Sequence, residues 1–184
     1  MKHKLVAFGA SNSSTSINRQ WAAFAARQVH NAEVELLDLN DYEVPLYSID
    51  REKKDGIPEA AHRLLQHLTS ADGLVISFAE HNGNVTAVWK NLEDWISRID
   101  RNAWRQKPLF LLATSPGGRG GQSALAISSR IYSFRNPYPI AQFSLPGFRK
   151  NFTGADIADE KLKRDFETQL QQFEAALKNP VSTA

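Results

Sequence analysis

Short runs of apolar residues alternate along the chain with longer stretches in which apolar residues recur every three or four positions. Residues 5–8 (LVAF) read as a first buried strand. Ile17, Trp21, Phe24, Ala25 and Val29 then place a helix over residues 18–30. Residues 33–39 suggest a second strand, followed by a loop rich in Asp and Tyr and broken by Pro45. Pro58 suits the first turn of a helix reaching residue 71, with Ala61, Leu64, Leu65 and Leu68 on its buried face. Residues 73–79 (GLVISFA) form a third strand. Val88, Trp89, Leu92, Trp95, Ile96 and Ile99 follow as a broad helical stripe. A fourth strand at 109–113 (LFLLA), a glycine-rich loop and a helix holding Leu125, Ile127 and Ile131 come next. The pattern closes with a fifth strand at 140–145 and a helix carrying Leu162, Phe166, Leu170, Phe173 and Leu177. From residue 178 the chain reads as a frayed tail.

Strands separated by helices predict a parallel sheet covered on both faces. The expectation is α/β: a doubly wound five-stranded parallel sheet in three layers, forming one domain over residues 1–184. Periodicity does not give the strand order. The stripe from Val88 to Ile99 is wider than the arc of about 100° that one contact absorbs. The excess, including Trp89 and Trp95, predicts a self-association surface and a homodimer or homotetramer.

Composition narrows the classes of function. The absence of cysteine excludes disulfides, thiol catalysis, thiolate metal sites and Fe–S clusters. The net charge is +2 with no long run of either sign, so neither a nucleic acid nor an anionic membrane is an expected partner. The apolar run at 5–8 is too short for a signal or a membrane span, and a cytoplasmic location is expected. His3, His30, His62 and His67 fall outside the loops described next, and no metal site is predicted.

In an open parallel sheet, ligands bind beyond the carboxyl ends of the strands. The loop after the first strand, residues 9–18, holds five hydroxyls in six positions (11–16) and opens a helix. Hydroxyls, loop N–H groups and a helix N-terminus together make a neutral anion cradle suited to a terminal phosphate. One capping serine would satisfy an ordinary helix start. Neither GxxxxGK[ST] nor GxGxxG occurs, which leaves Asp38 as a solvated strand end rather than a ribose ligand. The loop after the third strand (80–86) can present Asn82 and its N–H groups to the polar edge of a flat heterocycle. The loop after the fourth (114–121) has four glycines in five positions, which lets backbone lie flat against a ligand.

Together these loops resemble the NAD(P)H-dependent FMN reductase family of flavodoxin-like proteins. Ser11, Ser16 and Asn18 keep the spacing of that family's GSxxxxSxN stretch. Residues 79–82, Trp89-Lys90-Asn91 and Asp94-Trp95 follow its PEYN…LKNxxDW stretch in register, and residues 38–47 resemble its DL…PLY stretch. The resemblance implies a flavodoxin-like fold with FMN bound, its phosphate on Ser11, Ser13, Ser16, Ile17 and Asn18. The isoalloxazine would lie between Glu80, His81, Asn82 and Gly83 on one side and Ser115, Pro116, Gly117, Gly118, Gly120 and Gly121 on the other. NADPH or NADH would deliver hydride to the flavin, and a small acceptor such as a flavin or quinone would receive the electrons. The flavin carries that chemistry, with His81 as a modulator. Members of the family commonly dimerise with partner residues near the flavin. Four positions depart from the family's pattern: Ala10 for Gly, Ser13 for Arg, His81 for Tyr and Thr86 for Pro, the last predicting a looser loop. A flavodoxin-like electron carrier and a non-catalytic FMN-binding protein share the same fold, but the +2 charge is unlike the acidic surface of an electron carrier.

Overall fold

The computed structural model describes residues 2–104, 106–134 and 136–181. Strand β1 (His3–Ala10) is buried from Leu5 to Ala10, as the centre of a sheet covered on both faces requires. Helix α1 (Ile17–Gln28) starts at Ser16, whose Oγ accepts the N–H of Arg19 at 3.2 Å. Strand β2 (Ala32–Leu36) stops short of the predicted residue 39. The Asp38 carboxylate accepts the N–H and the side-chain amide of Asn40 at 3.0 and 2.8 Å and turns the chain into a 3-10 helix, Leu39–Tyr42. The Asn40 N–H bond is the main cause holding this carboxyl below its usual range.

The predicted loop then contains α2 (Ile49–Asp55), capped by Ser48. This helix buries no residue, so it leaves no apolar stripe by which the sequence could announce it. Helix α3 (Glu59–Ser70) and strand β3 (Gly73–Phe78) match the expectation closely. A small hairpin, β4 (Glu80–His81) and β5 (Asn84–Val85), turns through Asn82 and Gly83, both at positive φ, and leads into α4 (Ala87–Ile99). Strand β6 (Leu109–Thr114), α5 (Gln122–Ser133), β7 (Ala141–Leu145), the short α6 (Phe148–Asn151) and α7 (Glu160–Lys178) complete the chain.

The main sheet has the order β2-β1-β3-β6-β7, with every neighbouring pair parallel. The order reverses between β1 and β3, which opens a crevice at their carboxyl ends. One core lies under α1 and α7, where Trp21 packs on Phe24, Phe143, Phe152 and Phe166. The other lies under α3, α4 and α5.

The broad stripe of α4 is absorbed by this second core, contrary to the self-association surface expected from it. Trp89 and Trp95 are both fully buried. Trp89 packs on Phe8 and gives its indole N–H to Tyr132 at 3.0 Å; Trp95 gives its own to the carbonyl of Pro45 at 2.7 Å. α4 meets the sheet on one side and the segment ending at Tyr47 on another, and this second contact takes up the apolar arc that one sheet contact would leave over. Ile131 of α5 is exposed. The tail is held as far as Val181, whose N–H bonds Tyr138 Oη at 2.8 Å. Residues 182–184 lie outside the described residues. No helix among the described residues is long and apolar enough to cross a membrane.

Tyr132 donates in turn to the carboxylate of Glu93 on α4. Burial is the main cause raising the Glu93 carboxyl, to about 7, against the Tyr132 hydrogen bond and the Lys90 charge that lower it. The folded chain therefore holds a proton that the unfolded chain releases near pH 4.5, and stability falls as the pH rises from there to about 7. Glu93→Gln keeps an acceptor for Tyr132 and removes this cost. At pH 8 the variant should melt roughly 3–6 °C above the parent, with the gap closing below pH 5 in thermal unfolding followed by circular dichroism.

Candidate active site

The first loop is set by how closely α1 crosses the end of β1. A Cβ on Gly9 would lie 2.7 Å from Cα of Arg19 and 2.8 Å from the carbonyl carbon of Asn18, so only glycine admits the helix there. Asn18 fixes the approach from the other side. Its Oδ1 accepts Ser77 Oγ at 2.7 Å and the N–H of Thr114 at 3.0 Å, and its Nδ2 donates to the carbonyl of Thr114 at 3.1 Å. The buried Asn18 side chain is thus committed to the ends of β3 and β6, and only its N–H remains for a ligand. Within the loop, Ser13 N–H bonds Ser11 Oγ and Ser16 N–H bonds the carbonyl of Ser13. The N–H groups of Ser14, Thr15, Ile17 and Asn18 make no hydrogen bond among the described residues.

The second loop is pinned, contrary to the looseness expected from threonine at position 86. Thr86 is buried, donates Oγ1–H to the carbonyl of Ala10 at 2.9 Å and caps α4 at Trp89 N–H. Glu80 reaches across to the first turn of α5, where Oε2 accepts the N–H groups of Ser123 and Ala124 at 2.8 and 3.2 Å. A carboxylate there satisfies orphan donors and complements the positive end of α5. His81, Asn82 and Gly83 stand exposed on the hairpin.

In the third loop the glycines divide into two kinds. Gly120 is at φ +60°, and a Cβ there would lie 2.9 Å from Pro146 N and 3.0 Å from the carbonyl carbon of Leu145. Its bareness serves the contact with the end of β7. Gly117 is open: a Cβ would meet only Ser115 Oγ, at 3.9 Å, and around Gly118 there is free space. The carbonyl of Gly117 accepts Ser115 Oγ–H and the N–H groups of Gly120 and Gly147, which fixes the loop's path.

The loops meet in a cleft of about 310 Å³ at the carboxyl edge of the sheet. It brings together the predicted Ser11, Ser13, Ser16, Ile17, Asn18, Glu80, His81, Ser115 and Pro116, with Thr15, Ala79, Thr114 and Arg149. Asn82, Gly83, Gly117, Gly118, Gly120 and Gly121 do not line it. Asn82 and His81 also line a hollow of about 400 Å³ on the hairpin's outer side with Asn84, Val85, Ala87 and Lys90. Arg149 went unread in the sequence, though a basic residue just after the fifth strand sits at the same edge as the other loops.

The sequence profile of the NADPH-dependent FMN reductase family matches residues 3–150. The chain is similar to the NAD(P)H-dependent FMN reductase PA1204 of Pseudomonas aeruginosa, with 26% identity over 77% of this chain and 76% of that protein. It is also similar to the quinone reductase of Escherichia coli K12, with 34% identity over 43% of this chain and 42% of that protein. In structure it resembles FerB, a flavoenzyme NAD(P)H:(acceptor) oxidoreductase from Paracoccus denitrificans, with a TM-score of 0.74, 21% identity and coverage of 97% and 98% of the two chains. With the sheet order, the hydroxyl-rich loop at the switch point and a profile match over most of its length, the chain belongs to the NADPH-dependent FMN reductase family.

Proposed function

We propose that the chain is an FMN-dependent NAD(P)H oxidoreductase that passes electrons to a small acceptor such as a quinone or a flavin, acting in the cytoplasm. The observation that carries the reading is the convergence of three loops on one cleft at the switch point, with a phosphate-type donor set at one end. That donor set fits FMN: the free N–H groups of Thr15, Ile17 and Asn18, the hydroxyls of Ser11 and Ser13, and Ser16 Oγ, which accepts from Arg19 and keeps its own proton to donate. Ser115 and Pro116 bound the cleft opposite Glu80 and His81, where the flat ring would lie.

FMN, when bound, supplies hydride acceptance from NAD(P)H and electron delivery to the acceptor. The chain's part is positioning. Asn18 ties the first loop to the ends of β3 and β6, Thr86 ties the second loop to the end of β1, and Glu80 ties it to the start of α5, so hydrogen bonds within the chain hold the cleft's walls. We place self-association, as homodimer or homotetramer, on the exposed Leu46, Ile49, Ile131 and Phe134 rather than on the tryptophans. These side chains sit on or beside segments bonded to α4 through Asn91 and Glu93.

Ser16→Ala removes a hydrogen bond to a charged group, worth about 1.5–3 kcal/mol. FMN affinity should fall roughly ten- to a hundredfold, with riboflavin affinity unchanged, in titrations of the apoprotein followed by flavin fluorescence. Equal loss for both ligands would assign the hydroxyl to helix capping alone. Gly117→Val should keep the far-ultraviolet circular dichroism and, because Gly117 lies beside the cleft and not in its lining, should also keep FMN, whereas Gly120→Val should lower the melting temperature itself. Loss of FMN in Gly117→Val at an unchanged melting temperature would extend the ring's bed onto this residue. Phe134→Glu with Leu46→Glu should shift the mass in light scattering to that of one chain; an unchanged mass would rule out this surface.

A further inference from the structure

We propose that Arg149 supplies the positive charge that holds the terminal phosphate of FMN, a proposal that rests on the cleft being the FMN site. A phosphate monoester carries a charge of about −1.5 to −2 at neutral pH. Residues 9–18 bring no charged side chain to meet it. The positive end of α1 is equivalent to only about half a charge. The cationic side chains nearest in sequence to the loops, Arg19 and Arg119, do not line the cleft. Arg19 Nη1 lies 3.3 Å from Asp38 Oδ2, and Arg119 Nη2 bonds Ser123 Oγ at 3.0 Å. Glu80 adds a carboxylate to the same cleft.

Arg149 is the one Lys or Arg side chain lining the cleft among the described residues, and it lines it alongside Ser11, Ser13 and Ser16. It makes no hydrogen bond or ion pair among the described residues, and it is exposed. The backbone that carries it is fixed. Gly147 N–H bonds the carbonyl of Gly117 at 2.9 Å, Phe148 N–H bonds that of Ser115 at 3.0 Å, and Asn151 Nδ2 bonds that of Pro146 at 2.7 Å. Phe148 is buried and its ring packs on Phe152 at 5.0 Å between centroids. A free guanidinium thus rises from a turn stapled to the third loop and can reach the anion cradle of the first. Its planar fork matches phosphate oxygens in pairs, which a lysine ammonium cannot do. Lys150, its neighbour, is exposed but does not line the cleft, so it carries the same charge without the geometry.

The test is titration of the apoprotein with FMN and with riboflavin, followed by flavin fluorescence, for the parent, Arg149→Gln, Arg149→Lys and Lys150→Gln. Arg149→Gln should weaken FMN roughly tenfold and leave riboflavin unchanged. Arg149→Lys should recover only part of that loss. Lys150→Gln, which removes the same net charge, should bind FMN like the parent. Added salt should weaken FMN binding more steeply in the parent than in Arg149→Gln. Equal FMN affinity in the parent and Arg149→Gln, or equal losses in Arg149→Gln and Lys150→Gln, would overturn the proposal while leaving the cleft as the FMN site. Unchanged FMN affinity with a raised KM for NADPH would likewise overturn it, moving the arginine to the nucleotide's phosphates. A parent protein that binds neither flavin would remove the reading of the cleft itself.

Discussion

A carboxamide buried in a protein interior must find partners for both its donor and its acceptor, or its desolvation goes uncompensated. Asn18 finds them only where the first turn of α1 meets the ends of β3 and β6, at Ser77 Oγ and at both backbone groups of Thr114. That requirement fixes where the hydroxyl-rich loop can sit. The side chain is spent on that contact, and the N–H groups of Thr15, Ile17 and Asn18 beside it make no hydrogen bond among the described residues. Thr86 and Glu80 extend the same logic, each tying one loop to the next by a bond that crosses the cleft's base. The cleft is therefore a consequence of satisfying buried polar groups as much as of folding the chain around a ligand.

The stretch that carried the family resemblance has a structural explanation of its own. Asn91 Oδ1 accepts the N–H of Tyr47, its Nδ2 donates to the carbonyl of Pro45, and Trp95 Nε1 donates to that same carbonyl. Tyr47 then packs edge-on against Trp95 and donates to Glu52, which pairs with Arg98. Two stretches that look separate in sequence, around Pro45 and around Asn91, are the two halves of one contact. Their shared pattern reports a strap laid along α4.

Among the described residues the cleft combines neutral donors with one cation, Arg149, and one carboxylate, Glu80. Loop donors and a helix end favour an anion without committing to its full charge. A phosphate dianion would need more, and Arg149 lines the same cleft as the loop donors. Glu80 brings a carboxylate to the same cleft, held by two N–H groups at the start of α5.

The sequence by itself determined the class of fold, the five sheet strands and the loops at their carboxyl ends, because a parallel sheet buried on both faces writes continuous apolar runs and its helices write a period near four. It also singled out the hydroxyl-rich residues 11–18, and the fold brings most of them to the cleft at the switch point. What lacked an apolar signature stayed unread: α2, which buries nothing, the turn at Asp38 and the hairpin after β3. Only the tertiary structure could decide that the second face of α4 meets a strap of the same chain and not another molecule, for periodicity counts apolar arc without naming its partner. The same holds for the site. That Asn18 and Glu80 spend their side chains on the scaffold, that Gly120 answers to β7, and that Arg149 faces the cradle are facts of long-range contact, set by atoms far apart in the chain and brought together only by folding.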